Sequence, residues 1–305
     1  MGIPNVRLGA AGVGPRGRLG TAVTEGARLF SWDPDERVVQ RRLVRRALEE
    51  ECDIVLTVDA RLSPRSVATL RAGGVRTALW FPDPVSNLGK LQLMFLASYD
   101  ALFFKEPRVV DRAASLLGLP AHYLPEACNP RWHRPTVEHG TRRHIVVAGN
   151  MYPTRVRLLE RLVEDGIPLA IFGQPFPRWL TDHPLVQLHT GRYIAREEKA
   201  RVFREAAAVL NNLHMAEIEG VNCRLFEASG CGAVVLCEQR AVLPTFFEPG
   251  REVLMFSHYD QLVDQARQVV AEPGRFTAVA DAASRRAHDD HTYVHRLTTL
   301  LERLS

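Results

Sequence analysis

The sequence predicts an α/β protein built from two doubly wound parallel sheets that face each other across a central crevice. Three observations lead there. Short apolar runs alternate with helical patterns along most of the chain, as expected for parallel strands joined by crossover helices. The alternation stops at residues 125–143, where Pro125, Pro130 and Pro135 punctuate a polar segment, and then restarts, so the chain reads as two units and a linker. With 305 residues, 46% of them hydrophobic, there is apolar mass enough for two cores.

In the first unit the apolar runs at 6–10, 27–31, 53–58, 75–80, 101–104 and 121–124 read as strands. Those of the second lie at 144–148, 169–172, 186–189, 207–210, 233–236 and 253–256. Helical patterns close the chain at 261–270, 275–283 and 293–304. Domain limits follow at 1–135 and 136–290, with a terminal helix over 291–305 that can return to the first domain. Sheets of this kind bind ligands at the carboxyl ends of their strands, which makes the crevice the expected site.

Composition excludes several classes. No apolar run approaches the roughly 18 residues of a membrane span, and the N-terminus lacks the apolar core of a signal peptide, so a cytoplasmic protein is expected. The five cysteines include no CxxC pair, which argues against a disulfide framework or a zinc site. A net charge of +4 is too weak to indicate a nucleic-acid partner. The one dense basic cluster, Arg41, Arg42, Arg45 and Arg46, is either a solvated helix face or a peripheral contact with an anionic membrane surface or acidic acceptor.

The most informative stretch runs from Glu219 to Leu236: an acidic loop, a short helix, a Gly230/Gly232 turn and a buried strand. Its helix N-terminus should offer free N–H groups to a ligand. Glu227, within that helix, can accept hydrogen bonds from a ribose diol or simply complement the helix dipole. Glu219 can hold sugar hydroxyls, Asn222 can cap the helix or touch a ligand, and His214 either faces the crevice or is a satisfied buried histidine. In the segment Gly149-Asn150-Met151-Tyr152-Pro153-Thr154-Arg155 the chain leaves a strand and enters a helix with Pro153 in its first turn. Arg155 there, and Arg224 from the other motif, can meet a phosphate.

From Arg143 onward the chain resembles the group 1 glycosyltransferases of the GT-B fold, in the branch similar to the spore-maturation protein CgeB. Four ordered segments carry the likeness: Gly149 to Arg155; Phe172-Gly173; Leu210 to His214 with Glu219 to Gly232; and His291 to Arg296. The first half agrees more loosely, through Trp80-Phe81-Pro82-Asp83-Pro84 and Leu124 to Pro130. The resemblance implies two facing Rossmann-like domains, an N-terminal one for acceptor and a C-terminal one for a nucleotide sugar. It implies hexosyl-type transfer from a nucleoside-diphosphate sugar, with UDP, GDP and dTDP all open, to an unknown acceptor. It also implies retention of configuration and no metal or other cofactor. Glu219, Arg155 and Asp83 are then the expected catalytic residues. Asn150, Tyr152, Gly173, His214, Asn222, Arg224 and Glu227 form the expected nucleotide-sugar site, and Gly12 and Gly14 an N-domain Gly-rich loop. Many group 1 enzymes carry an Arg and a Lys about five residues apart for the diphosphate; this chain offers Arg155 and Arg157 instead. Asp33-Pro34-Asp35 imitates a metal-binding DxD but reads as a turn after the second strand.

Two other readings compete. Gly12-Val13-Gly14-Pro15-Arg16-Gly17 after the run at 6–10, with Asp33 about twenty residues on, satisfies the dinucleotide fingerprint of an NAD(P) oxidoreductase, although Pro15 and Gly17 to Gly20 disturb the helix entry it needs. A catalytically silent GT-B scaffold acting as a binding protein is the other.

Overall fold

A computed structural model describes residues 34–58, 62–84, 86, 98–177, 180 and 182–305. The expected strands at 6–10 and 27–31, the glycines Gly12, Gly14 and Gly17, and Asp33 lie outside the described residues; Asp35 lies in the first described helix.

The chain divides into two compact units, residues 1–124 with 300–305, and 125–299. In the first, strands β1 (Ile54–Val58), β2 (Arg76–Phe81), β3 (Ala101–Phe104) and β4 (Ala121–Tyr123) pair in parallel in that order. Helix α1 (Pro34–Glu49) precedes β1, and α2 (Pro64–Ala72) connects β1 to β2. Its start follows from Ser63, whose hydroxyl accepts the Ser66 N–H, and from Pro64 at the first helical position. Helix α3 (Pro107–Asp111), prolonged by a wider turn to Leu116, joins β3 to β4. Val44 and Ala47 of α1 and Val67 and Leu70 of α2 pack with Leu79, Phe81, Leu102 and Phe104 of the sheet. The four clustered arginines of α1 are exposed, and Arg45 and Arg46 pair with Glu49 and Glu50 one turn on. Such solvated pairs add little to stability.

The second unit holds a parallel sheet in the order β6-β5-β7-β8-β9. Its strands are β5 (Arg142–Ala148), β6 (Leu169–Phe172), β7 (Ala206–Asn211), β8 (Val235–Glu238) and β9 (Leu254–Phe256). The helices are α4 (Pro153–Glu164), α5 (Arg196–Glu205), α6 (Cys223–Gly230), α7 (Tyr259–Ala271), α8 (Thr277–Asp290) and α9 (Tyr293–Leu304). Val156, Leu159 and Leu162, spaced along one face of α4, and Leu262, Val263, Ala266 and Val269 of α7 share a core with Ile145, Val147, Ile171, Leu210 and Leu236. Each of the Val, Leu and Ile side chains among them contributes about 1.5–3 kcal/mol on burial. All six residues of β7 are buried, as a strand covered on both faces should be. From β5 the chain steps to β6 on one side and then crosses to β7 on the other, so the sheet's switch point lies between the carboxyl ends of β5 and β7.

Three expectations need correction. The run at 186–189 is not a strand: Pro184 and the His183 ring, which accepts the Leu185 N–H, start a 3-10 turn over Pro184–Leu188, leaving only His189 bridged to Ile171. The helix expected at 275–283 starts after a turn at Pro273–Phe276 and runs on to Asp290. The segment 125–143 is packed within the second unit, with Cys128 bridged to Thr292 and the buried Arg296 donating to the carbonyls of Pro125 and Glu126. The division therefore falls at Pro125 rather than after Pro135, and the last residues of α9 group with the first unit.

Candidate functional site

At the switch point β5 is followed directly by Gly149, and the neighbouring β6 by Gly173. Both adopt positive φ, +128° and +143°, and a Cβ on Gly173 would lie 2.7 Å from the Gly149 carbonyl oxygen. The two glycines therefore pack backbone to backbone, with no room for a side chain. Gly173 N–H donates to the Arg192 carbonyl and Gly149 N–H to that of Phe172.

Two guanidinium groups converge on this backbone: a Cβ at Gly149 would lie 3.2 Å from Nη1 of Arg155 and 3.1 Å from Nη1 of Arg224. Arg155 is buried, at 4% exposure. Its Nε donates to Asn212 Oδ1 at 2.9 Å, its Nη2 to the Asn212 carbonyl at 3.1 Å and its Nη1 to the Asn150 carbonyl at 2.9 Å. Its guanidinium lies 4.5 Å from the Tyr152 ring centre. Burial, helped by the Arg224 charge, pulls the group down to about 10. Arg224 Nε is buried without a hydrogen-bond partner. Among the described residues neither arginine forms an ion pair, so two cations face one another across a glycine turn.

Tyr152 completes the cradle. Asn212 Nδ2 donates to its hydroxyl at 3.1 Å, and its ring meets His214 edge-on with centroids 4.7 Å apart. His214 Nδ1 accepts the Ala216 N–H, so the half-buried ring is held by its own loop and by Tyr152. Asn150 is exposed at the start of the turn. Glu217, buried two residues before the half-buried Glu219, accepts the His214 N–H and pins the loop that presents Glu219.

The N-terminus of α6 differs from expectation. Its N–H groups are not free: Asn222 Oδ1 takes that of Arg224, the Asn222 carbonyl that of Leu225, and Glu126 Oε2 that of Cys223 at 2.8 Å. Asn222 is thus a helix cap, and positive charge reaches the site through Arg224 rather than through backbone. Further along α6, Glu227 meets Lys199 Nζ of α5 at 3.0 and 3.2 Å, with His133 Nε2 3.8 Å away. Burial pushes this carboxyl up, but Lys199, Arg224 and His133 outweigh it and hold the group below the usual range. The turn into β8 uses Gly232, with φ +70° and Arg204 Nη1 only 2.6 Å from where a Cβ would be.

The second unit therefore brings Arg155, Arg224, Tyr152, Asn150, Gly173 and His214 together around Gly149. Arg157 does not join them; it is exposed and paired with Glu160 and Glu164. Asp83 belongs to the first unit, half-buried just past the carboxyl end of β2. Sequence reasoning missed Asn212, Lys199, His133 and Glu126. Only Asn212 left a signal, as a polar residue following an apolar strand. Among the described residues no group of three or more His, Cys, Asp or Glu is disposed to hold a metal ion, and no helix is long and apolar enough to cross a membrane.

The sequence profile of a family described as glycosyl transferase-like matches residues 142–302, more than half of the chain and all of the Gly149 and α6 motifs. The chain belongs to that family. No curated protein matches it. Among solved structures, this glycosyl transferase-like chain is similar to sucrose-phosphate synthase from Thermosynechococcus elongatus, with TM-score 0.64 and 13% identity over 87% of this chain and 78% of that one. It is also similar to Anabaena HepE in complex with UDP-glucose, with TM-score 0.64 and 12% identity over 89% and 84% of the two chains. A glycosyltransferase from Rickettsia africae matches with TM-score 0.56 and 10% identity over 94% and 82%. At these identities the likeness concerns the fold, α/β with parallel sheets and GT-B neighbours.

Proposed function

We propose that this chain is a retaining, hexosyl-type glycosyltransferase of the CgeB-like branch that uses a nucleoside-diphosphate sugar and needs no metal. One observation carries the reading: Arg155 and Arg224, unpaired with any described carboxylate, converge on Gly149 at the switch point of the sheet. Two cations held together without an anion between them suit a diphosphate, whose charge offsets both. When the bond between the anomeric carbon and the diphosphate oxygen breaks, negative charge grows on the leaving phosphate. Arg155, fixed by Asn212 and the Asn150 carbonyl, is already oriented for that charge, so little reorganisation accompanies the step. Neutralisation by arginine takes the part a divalent cation would otherwise play, which supports metal independence.

In the same reading the ribose rests on Glu227, and the donor sugar lies near Glu219 and His214. The likeness of the Glu219/Glu227 pair to that of retaining enzymes supports retention. HepE, of similar fold, was solved with UDP-glucose, which supports a donor of that kind.

The test is calorimetric titration of the purified chain with UDP, GDP, dTDP and NADH, followed by assay of nucleoside-diphosphate release from the matching nucleotide sugars in EDTA. One nucleoside diphosphate should bind, and its sugar donor should turn over without added metal. Binding of NADH alone, or of no nucleotide, would overturn the reading. A requirement for magnesium or manganese would overturn metal independence.

A further inference from the structure

Lys199 has no place in the reading above, yet its ammonium lies 3.0 Å from one Glu227 oxygen and 3.2 Å from the other. Both side chains are largely buried, at 17% and 13% exposure, so the contact is not a loose surface pair. An ionised carboxylate offers about four acceptor positions. Lys199 occupies one on each oxygen, and one on each is left, the number that two adjacent ribose hydroxyls would fill. The deoxyribose of a 2′-deoxynucleotide would fill only one.

The surroundings hold Lys199 in register. Helix α5, which carries it, begins at Arg196 with a left-handed φ of +52°, an unusual conformation for a residue with a side chain. The Arg196 guanidinium stacks 5.1 Å over the Trp132 ring, and Arg192 pairs with Glu198 in the next position along the turn. The neighbouring His133 accepts the Asn129 N–H at Nδ1, so its proton sits on Nε2, facing Glu227. We propose that Lys199 is a positioning residue that fixes the plane of the Glu227 carboxylate, so that the site takes a ribonucleoside diphosphate in preference to its 2′-deoxy counterpart. This rests on the reading of Glu227 as the ribose ligand.

The groups facing Glu227 are Lys199 from α5, Arg224 from its own helix and His133 from the 125–141 segment, with the Cys128, Cys223 and Cys231 thiols and the Tyr293 hydroxyl of α9 nearby, all pushed up by burial and so neutral. Removing Lys199 removes the largest of the influences that keep the carboxylate ionised. Ribose preference should then vanish at a higher pH than in the parent.

The experiment measures affinities for UDP, GDP and ADP, for their 2′-deoxy forms and for dTDP across pH 4.5–8, in the parent, Lys199→Met and Lys199→Arg. The parent should favour the ribo form of its nucleotide by about tenfold or more, the effect of one charge-assisted hydrogen bond. Lys199→Met should reduce that ratio to within about threefold, with the residual preference lost at higher pH, while Lys199→Arg retains most of it. If Lys199→Met does not fold, Lys199→Gln carries the same reading. A Met or Gln variant that keeps the parental ratio and pH profile overturns the role of Lys199 and leaves Glu227 as ribose ligand. A parent that binds ribo and deoxy forms equally, or dTDP alone, overturns both, and a parent that binds no nucleotide, dTDP included, overturns the whole donor assignment.

Discussion

Replacing Arg224 with Met separates a ligand-binding arginine from a structural one. The nitrogens of Arg224 and Arg155 that flank Gly149 are 3.1 and 3.2 Å from a common point, so they lie within about 6 Å of each other. At an effective dielectric of about 20, two like charges at that separation repel by roughly 3 kcal/mol, and partial exposure of Arg224 reduces the figure. Arg224 also has a buried, unpartnered Nε, a cost of about 1–3 kcal/mol. Against these stands its attraction to Glu227. The contributions oppose one another, so Arg224→Met should change folding stability by less than about 1 kcal/mol, or a few degrees in Tm. Binding should respond differently. Loss of a charge-assisted contact to the diphosphate is worth about 1.5–3 kcal/mol, a ten- to hundredfold weaker Kd. Calorimetric titration with the nucleoside diphosphate and a thermal melt of the same sample decide the matter. A folded variant with unchanged Kd, or one whose Tm falls by ten degrees or more, would refute the reasoning, because the arginine would then serve the fold.

Stability should also fall on mild acidification. Burial holds His291, whose Nε2 lies 2.9 Å from the Phe246 carbonyl oxygen, down to about 4 from an ordinary value of 6.5, and burial does the same to His139. The unfolded chain takes up these protons first, so stability present above about pH 6.5 is lost as pH falls toward 4, by up to a few kcal/mol. Urea unfolding at pH 7 and pH 5 should reveal the slope, and a His291→Gln variant with the same slope as the parent would remove His291 from the account. Asp83→Asn should slow transfer by about tenfold or more if the carboxylate orients or activates the acceptor hydroxyl. Equal rates across the pH range would make Asp83 a turn residue that satisfies local backbone.

Much of the fold was legible because local pattern and global structure agree. Strands β1 to β9 all fall within two residues of the apolar runs, and α9 matches its pattern from end to end. The run at 186–189 misled because Pro184 and His183, at its edge, favour a helical turn over an extended one. The site was legible only where a residue sits in its own motif: Gly149, Arg155 and the Glu219 to Glu227 stretch stood out, as did the Asn222 cap. Glu126, which closes the α6 N-terminus from 97 residues away, did not, since no period or spacing reports a contact of that range. Lys199 was hidden for a related reason. On an amphipathic helix with acidic and basic neighbours, one lysine reads as solvent-facing, and only the packing of α5 beside α6 turns it inward.

The way charge is distributed about α6 argues that this end of the sheet is shaped for a ligand. Its N-terminus, the ordinary place for a phosphate, is closed by Asn222 and Glu126. Its carboxylate is neutralised from a second helix by Lys199. Both arrangements satisfy groups that burial would otherwise penalise. The Arg155/Arg224 pair does the reverse: it leaves two like charges adjacent and one buried Nε unmatched, whereas the buried Arg204 of the same unit is paired with Asp281. Stability alone gives no reason to keep Arg224, since its repulsion from Arg155 and its unmatched Nε offset its attraction to Glu227. Retaining it is reasonable where a doubly charged anion arrives to complete the set, as local rules are commonly broken at sites that bind and react.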